Sequence, residues 1–193
     1  MNRIKLIQTF IDKQKAKNYL EIGVQAGHCF SAIVCENKVG VDPDKSSAAN
    51  VHETSDEFFK NNKTKFDVIF IDGLHHADQV EKDILNSLDC LSEGGTILMH
   101  DCLPTSEFMQ LIPQQPNHNE WTGDTWKAYV KLRTEREDLS MCVVSCDWGV
   151  GIIKRGTQEK LVLGAEMNYK NFAINNHKWL NLISVQQFLD IVE

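Results

Sequence analysis

The chain has 193 residues, enough for one well-packed domain, and its 42% apolar and 24% charged content is that of an ordinary globular protein. Its net charge of −7 arises from 27 acids set among 20 Lys and Arg with no basic cluster, which argues against a nucleic-acid partner. No apolar run is long enough to span a bilayer and Met1 leads into an amphipathic segment rather than a signal peptide, so the sequence reads as cytoplasmic with no membrane partner.

Along the chain, Ile4, Ile7, Phe10 and Ile11 mark a first amphipathic helix. The runs "NYLEIG" (18–23), "NKVGVD" (37–42), "FDVIFIDG" (66–73) and "GGTILMHD" (94–101) are short and apolar and end in glycine or an acid. They read as buried parallel strands. Between the last two, Val80, Ile84, Leu85, Leu88 and Leu91 recur at helical spacing. Alternating strand and helix give an α/β class.

The stretch from Cys102 to Thr122, with three prolines and a run of Asn, Gln and His, breaks this rhythm and predicts a functional loop. Then "GDTWKAYVKLR" (123–133) predicts a helix capped by Asp124. "MCVVSC" and "GVGIIKR" are two strands with so little between them that they must form an antiparallel hairpin, because a parallel crossover needs a dozen residues. Ser184 and Gln187 have capping-box spacing ahead of a final helix. One domain over 1–193 is expected, with a helical extension from about 165 to 193. The six cysteines show no Cys-x-x-Cys spacing and read as buried, reduced thiols.

Glu21 is a carboxylate inside an apolar strand, directly before a Gly-x-x-x-Gly turn formed by Gly23 and Gly27. In open α/β sheets ligands bind beyond the carboxyl ends of the strands near the reversal of strand order. The glycines let backbone approach a ligand, and a helix starting near Gly27 could receive a carboxylate at its N-terminus. Asp42, ending the second strand, can accept both hydroxyls of an unphosphorylated ribose. No Gly-x-Gly-x-x-Gly triple or Walker lysine is present, so the ligand carries no pyrophosphate. A nucleoside with an ammonium and a carboxylate fits, and S-adenosylmethionine has both, with Glu21 meeting its methionine end.

These segments, "LEIGVQAGHCF", "VGVDPD", "FDVIFIDGLHHADQVEKDI", "GGTILMHDCLP" and "GDTWKAYVKLR", resemble class I S-adenosylmethionine-dependent methyltransferases, in particular small O-methyltransferases of the sugar and secondary-metabolite type. The resemblance covers roughly residues 15 to 155. It implies a Rossmann-like, doubly wound, mostly parallel seven-stranded sheet with an antiparallel last strand. It also places Ser55 and Asp56 near the adenine, although "VHETSDEFF" is short and polar for a third strand. The implied acceptor is a hydroxyl of a small molecule or sugar.

Asp72, His75, His76, His100 and Asp101 crowd the ends of two adjacent strands. Asp72 would flank the cofactor, His75 would serve as base, and Asp101 would orient it or bind the acceptor. The family often holds a divalent metal with acids at these strand ends, here Asp72 and Asp101, and hard oxygen ligands favour Mg²⁺ or Mn²⁺. The sequence departs from that pattern at Cys102, where Asn or Asp is usual. Trp121 is expected in a lid, and His76, Trp126 and Lys127 as further acceptor contacts. A nicotinamide-dependent oxidoreductase and a non-catalytic nucleoside-binding module are the alternative readings. The oligomeric state is open.

Overall fold

The structure is a computed structural model and describes residues 1–116 and 119–192. Its centre is a seven-stranded sheet in the order β2-β1-β3-β4-β6-β5-β7. The strands are β1 (Asn18–Ile22), β2 (Asn37–Val41), β3 (Phe66–Ile71), β4 (Leu91–Met99), β5 (Leu139–Val144), β6 (Val150–Arg155) and β7 (Leu182–Ile183). The four strands expected from their apolar runs are all present.

Period-two alternation sorts the side chains between two layers. Leu20, Ile22, Ile69, Ile71, Ile97 and Met99 join one core with α4 (Ala77–Cys90), α5 (Thr125–Glu135) and α6 (Tyr169–Leu180). Tyr19, Val68, Phe70 and Leu98 face the other way. That second core is closed by α1 (Arg3–Gln14), through Leu6, Ile7, Phe10 and Ile11, and by Phe188 of α7 (Val185–Val192).

The chain runs from β1 out to β2 and then back past β1 to β3, so strand order reverses between β1 and β3. A crevice beyond their carboxyl ends follows from that reversal. The β5–β6 hairpin is antiparallel, as its short connection requires, and β6 also runs against β4. The sheet thus has seven strands, but the antiparallel one is the sixth rather than the last. β7 is a two-residue strand parallel to β5, so the region after 165 contributes to the sheet as well as two helices. Glu193, the end of that expected extension, lies outside the described residues.

Three local expectations are corrected. No third strand forms after β2: Val51 makes only an isolated bridge to Val41, and the polar "SDEFFKN" folds as α3 (Ser55–Asn61) behind a Thr54–Glu57 capping box. The helix after the glycine turn, α2 (His28–Ala32), is only five residues long, too short for the expected anion-binding terminus. Asp124 stands at the N-cap of α5 without capping it. Its carboxylate instead accepts the Ala77 N–H at 2.8 Å, capping α4, whose own N-cap residue His76 makes no side-chain cap. Ser184 and Gln187 form the expected reciprocal bonds, at 2.8 and 3.1 Å.

Candidate active site

A cavity of about 900 Å³ opens at the carboxyl ends of β1, β3 and β4. At one end lies the glycine turn. Gly23 has φ +85°, and a Cβ there would run into the Asp72 carbonyl, so β1 and β3 can approach only with glycine at this point. Glu21, 1% exposed, lines the same end. Its Oε2 accepts the Tyr19 hydroxyl at 2.5 Å. Burial raises its pKa to about 7 despite that bond.

Asp42 organises the turn. Its Oδ2 accepts the amides of Val24 and Gln25 at 3.0 and 2.8 Å, and Oδ1 accepts that of Asp44 at 2.9 Å. Beside it, Gln79 of α4 gathers Ser55 Oγ, Asp56 Oδ1 and Asp83 Oδ1 at 3.2, 3.0 and 3.1 Å. Asp83 is buried in this wall, and desolvation pushes its carboxyl up to about 6.

Next to the glycine turn, Asp72, after β3, and Asp101, after β4, converge on two imidazoles. His75 Nε2 lies 3.4 Å from Asp72 Oδ1, and its Nδ1 lies 3.3 Å from Asp101 Oδ2. His100 Nδ1 is 3.2 Å from each carboxylate. Burial opposes the charged forms, but the His100 and His75 contacts outweigh it and hold Asp72 well below the usual carboxylate range. By the same balance, Asp72 and Asp101 raise His75 against the effect of burial.

His100 has two opposed influences. The carboxylates of Asp101, Asp147 and Asp72 outweigh burial and raise its pKa, yet Arg3 Nη1 approaches its Nε2 at 2.7 Å, which requires that nitrogen to accept. The geometry favours the Nδ1–H tautomer, shared between Asp72 and Asp101, with Nε2 accepting from Arg3. Asp147 also holds Arg3, accepting its backbone N–H at 2.8 Å and Nη1 at 3.3 Å.

Asp72, His75 and Asp101 offer ligand atoms within 4.8 Å of one another. His75 Nδ1 is buried and makes no hydrogen bond. Two carboxylates and an imidazole are a donor set that fits a divalent cation, Mn²⁺ better than Mg²⁺ because of the nitrogen. Cys102 takes no part: its thiol is buried toward the Met99 and His100 carbonyls, and burial pushes its pKa far up.

The cavity thus brings together Glu21, Gly23, Gly27, Asp42, Ser55, Asp56, Asp72, His75, Asp101 and Trp121. Trp121 stacks on His75 at 5.2 Å and donates Nε1–H to the Leu111 carbonyl. Three acceptor assignments are corrected. His76 starts α4 outside the cavity, touching Trp121 edge-on, so His75 is the inward member of the pair. Trp126 is fully buried between Phe172 and Trp179, because Trp126, Tyr129 and Val130 form the core face of α5. Lys127 pairs with Asp124 at 3.0 Å and does not line the cavity.

The loop from Cys102 to Thr122 contributes Met109, Gln114 and Asn119 through Thr122 to the wall. Asn117 and His118, within that expected loop, lie outside the described residues. Arg3, Gln79, Asp83 and Trp148 line the cavity without having been singled out from sequence. Arg3 and Asp147 meet across 144 positions, and no local pattern announces such a pair.

Residues 20–102 match the sequence profile of a family described as "Methyltransferase domain". No curated protein matches the chain. The O-methyltransferase from Bacillus cereus, solved in complex with SAH, has 16% identity over 80% of each chain and a TM-score of 0.59. An SAH-bound methyltransferase from Podospora anserina shares 17% identity over 80% of this chain and 78% of its own, with a TM-score of 0.59. An O-methyltransferase of tomaymycin synthesis from Streptomyces achromogenes, in complex with SAM, shares 15% identity over 79% of each chain, with a TM-score of 0.58. At such identity the structural likeness speaks for the fold, and the profile match speaks for the domain that carries the glycine turn and both strand-end acids. Residues 20–102 are thus similar to a methyltransferase domain, and the chain has the fold of S-adenosylmethionine-dependent O-methyltransferases.

Proposed function

We propose that the chain is a class I S-adenosylmethionine-dependent methyltransferase that acts on a hydroxyl of a small molecule or sugar, with His75 as the base. The supporting observation is the placement of His75 between Asp72 and Asp101 in the cavity that the glycine turn and Asp42 also line, where an acceptor can meet the methyl of a nucleoside held at that turn. The acceptor oxygen attacks the sulfonium methyl, the C–S electron pair stays on sulfur to give the thioether, and the hydroxyl proton passes to His75. Asp72 and Asp101 fix the imidazole, and the walls of the cavity align the two reactants.

Asp72, Asp101 and His75 are also the residues that would hold a divalent ion, which would lower the hydroxyl's pKa. His75 cannot be ligand and base at once, so chelation separates the two. The profile match favours neither a nicotinamide-dependent oxidoreductase nor a silent binding module. We also read the protein as cytoplasmic and without a nucleic-acid partner. Its six unpaired cysteines suit a reducing compartment, and no helix among the described residues is long and apolar enough to cross a membrane.

Native mass spectrometry of the purified protein tests the cofactor, with S-adenosylmethionine or S-adenosylhomocysteine expected and NAD contradicting the reading. Methyl transfer to a panel of phenolic and sugar acceptors tests the reaction. Asp42→Ala should weaken S-adenosylmethionine binding by about 2–3 kcal/mol, the scale of hydrogen bonds to a charged group. It should also lower the melting temperature, because three loop amides lose their acceptor. Unchanged affinity by calorimetry removes Asp42 from the site.

The loop from Cys102 to Thr122 is proposed as the acceptor lid. It is tied at its start, where the Cys102 and Leu103 amides donate to Gly149 O and Trp148 O, and at its end, where Met109 O accepts the Thr122 and Gly123 amides at 2.9 and 3.1 Å. Its amides should exchange faster without acceptor than with it. Exchange as slow as in the sheet under both conditions argues against a lid.

A further inference from the structure

The turn joining β5 to β6 has an unusual backbone. Asp147, Trp148 and Gly149 follow one another at φ 49°, 55° and 85°, all left-handed, and two of the three carry side chains that disfavour this region. The turn is over-determined by its neighbours. Gly149 O and Trp148 O accept the amides of Cys102 and Leu103 at 3.0 and 2.7 Å, and Asp147 is bound to Arg3. The result is a tryptophan 41% exposed on the wall of the active-site cavity, its ring edge-on to His100 at 6.3 Å.

Trp121 holds the matching position over His75. Both histidines touch Asp72 and Asp101, so each tryptophan packs on a histidine that contacts the carboxylate pair. Arg3 is the one Lys or Arg among the described residues lining the cavity, facing a wall rich in acids. Its Nη1 is engaged by His100 and Asp147, while Nη2 has no hydrogen-bond partner among the described residues. A guanidinium with a spare donor nitrogen recognises carboxylates.

We propose that Arg3 and Trp148 form the acceptor subsite, and that the acceptor is a planar aromatic hydroxy acid, its ring against Trp148 and its carboxylate on Arg3. This rests on the hydroxyl-methylation reading above: the hydroxyl loses its proton to His75 as the oxygen takes the methyl.

Two measurements separate the subsite from the reaction. In the first, 3-methoxybenzoate and 3-methoxybenzamide, which have no hydroxyl to methylate, are titrated into the protein in the presence of S-adenosylhomocysteine, following tryptophan fluorescence. The acid should bind about 10-fold tighter than the amide. Arg3→Gln should bring the ratio near one, Arg3→Lys should restore part of it, and Trp148→Ala should weaken both ligands. A ratio within one variant is insensitive to how much of that variant is folded. Equal binding of acid and amide by wild type, or a preference that survives Arg3→Gln, overturns the subsite. In the second, turnover of 3-hydroxybenzoate and 3-hydroxybenzamide is compared. A binding preference without methyl transfer to either supports the subsite and removes the hydroxyl-methylation reading; transfer to both without preference does the reverse.

Discussion

His75→Ala should lower the rate of methyl transfer by about 10²–10⁴, the usual size of a general-base contribution, while leaving S-adenosylmethionine bound. The imidazole lies 3.4 and 3.3 Å from two carboxylates that raise its pKa above the ordinary histidine value. Only its neutral form can accept the hydroxyl proton. The rate should therefore rise with pH through a midpoint above 6.5 and level off beyond it. EDTA distinguishes the base from an ion. If His75 acts alone, wild type keeps its activity in chelator and loses the rising pH limb only on substitution. If Asp72, His75 and Asp101 hold Mn²⁺, chelation abolishes turnover with cofactor binding intact, since the ion would touch the acceptor and not the nucleoside. Full activity of both wild type and His75→Ala in EDTA would leave alignment alone as the source of rate.

The residues that form this site were legible to the degree that strand ends are. A short apolar run closed by an acid identifies both an element and the end at which ligands gather, so Glu21, Asp42, Asp72 and Asp101 could be found one strand at a time. The antiparallel hairpin followed from a connection too short for a crossover. What the sequence hid was long-range or masked by periodicity. Asp83 lies one helical turn after Gln79 with nothing in the sequence to single it out, yet it is buried and accepts from Gln79 at 3.1 Å. Trp126 and Trp121 look alike in sequence, five residues apart. Helix phase alone sends Trp126 into the Phe172 and Trp179 cluster, whereas Trp121 precedes the helix and remains free to stack on His75. The missing third strand reflects the same competition, since Thr54 and Glu57 supply a complete capping box and the polar run takes the helix it starts.

Glu21→Gln should make the empty protein more stable and the site worse. Glu21 is 1% exposed, and burial raises its pKa from 4.5 to about 7. A carboxyl whose folded value lies above its unfolded value binds extra protons in the folded state between those limits. Its contribution is most favourable below about pH 4.5 and is lost as pH rises through 7. The gap between the two values corresponds to about 3 kcal/mol of destabilisation at pH 8. Glutamine keeps an oxygen to accept the Tyr19 hydroxyl and carries no charge, so it removes this cost. Urea unfolding at pH 8 should show the variant more stable by about 1–3 kcal/mol, with the advantage shrinking by about 2 kcal/mol at pH 5.5, where wild-type Glu21 is itself largely protonated. Binding should move the other way. If Glu21 answers the ammonium of S-adenosylmethionine, losing its charge should weaken affinity by about 1.5–3 kcal/mol at pH 8, and wild-type affinity should fall as pH drops through 7. A charge kept buried at the end of β1 against the stability of the fold is then explained by the cation it meets. Equal stability of variant and wild type at both pH values would show that Glu21 is not held in the strained, half-protonated state inferred for it. A variant stabilised as expected but with undiminished affinity would place the ammonium elsewhere in the cavity.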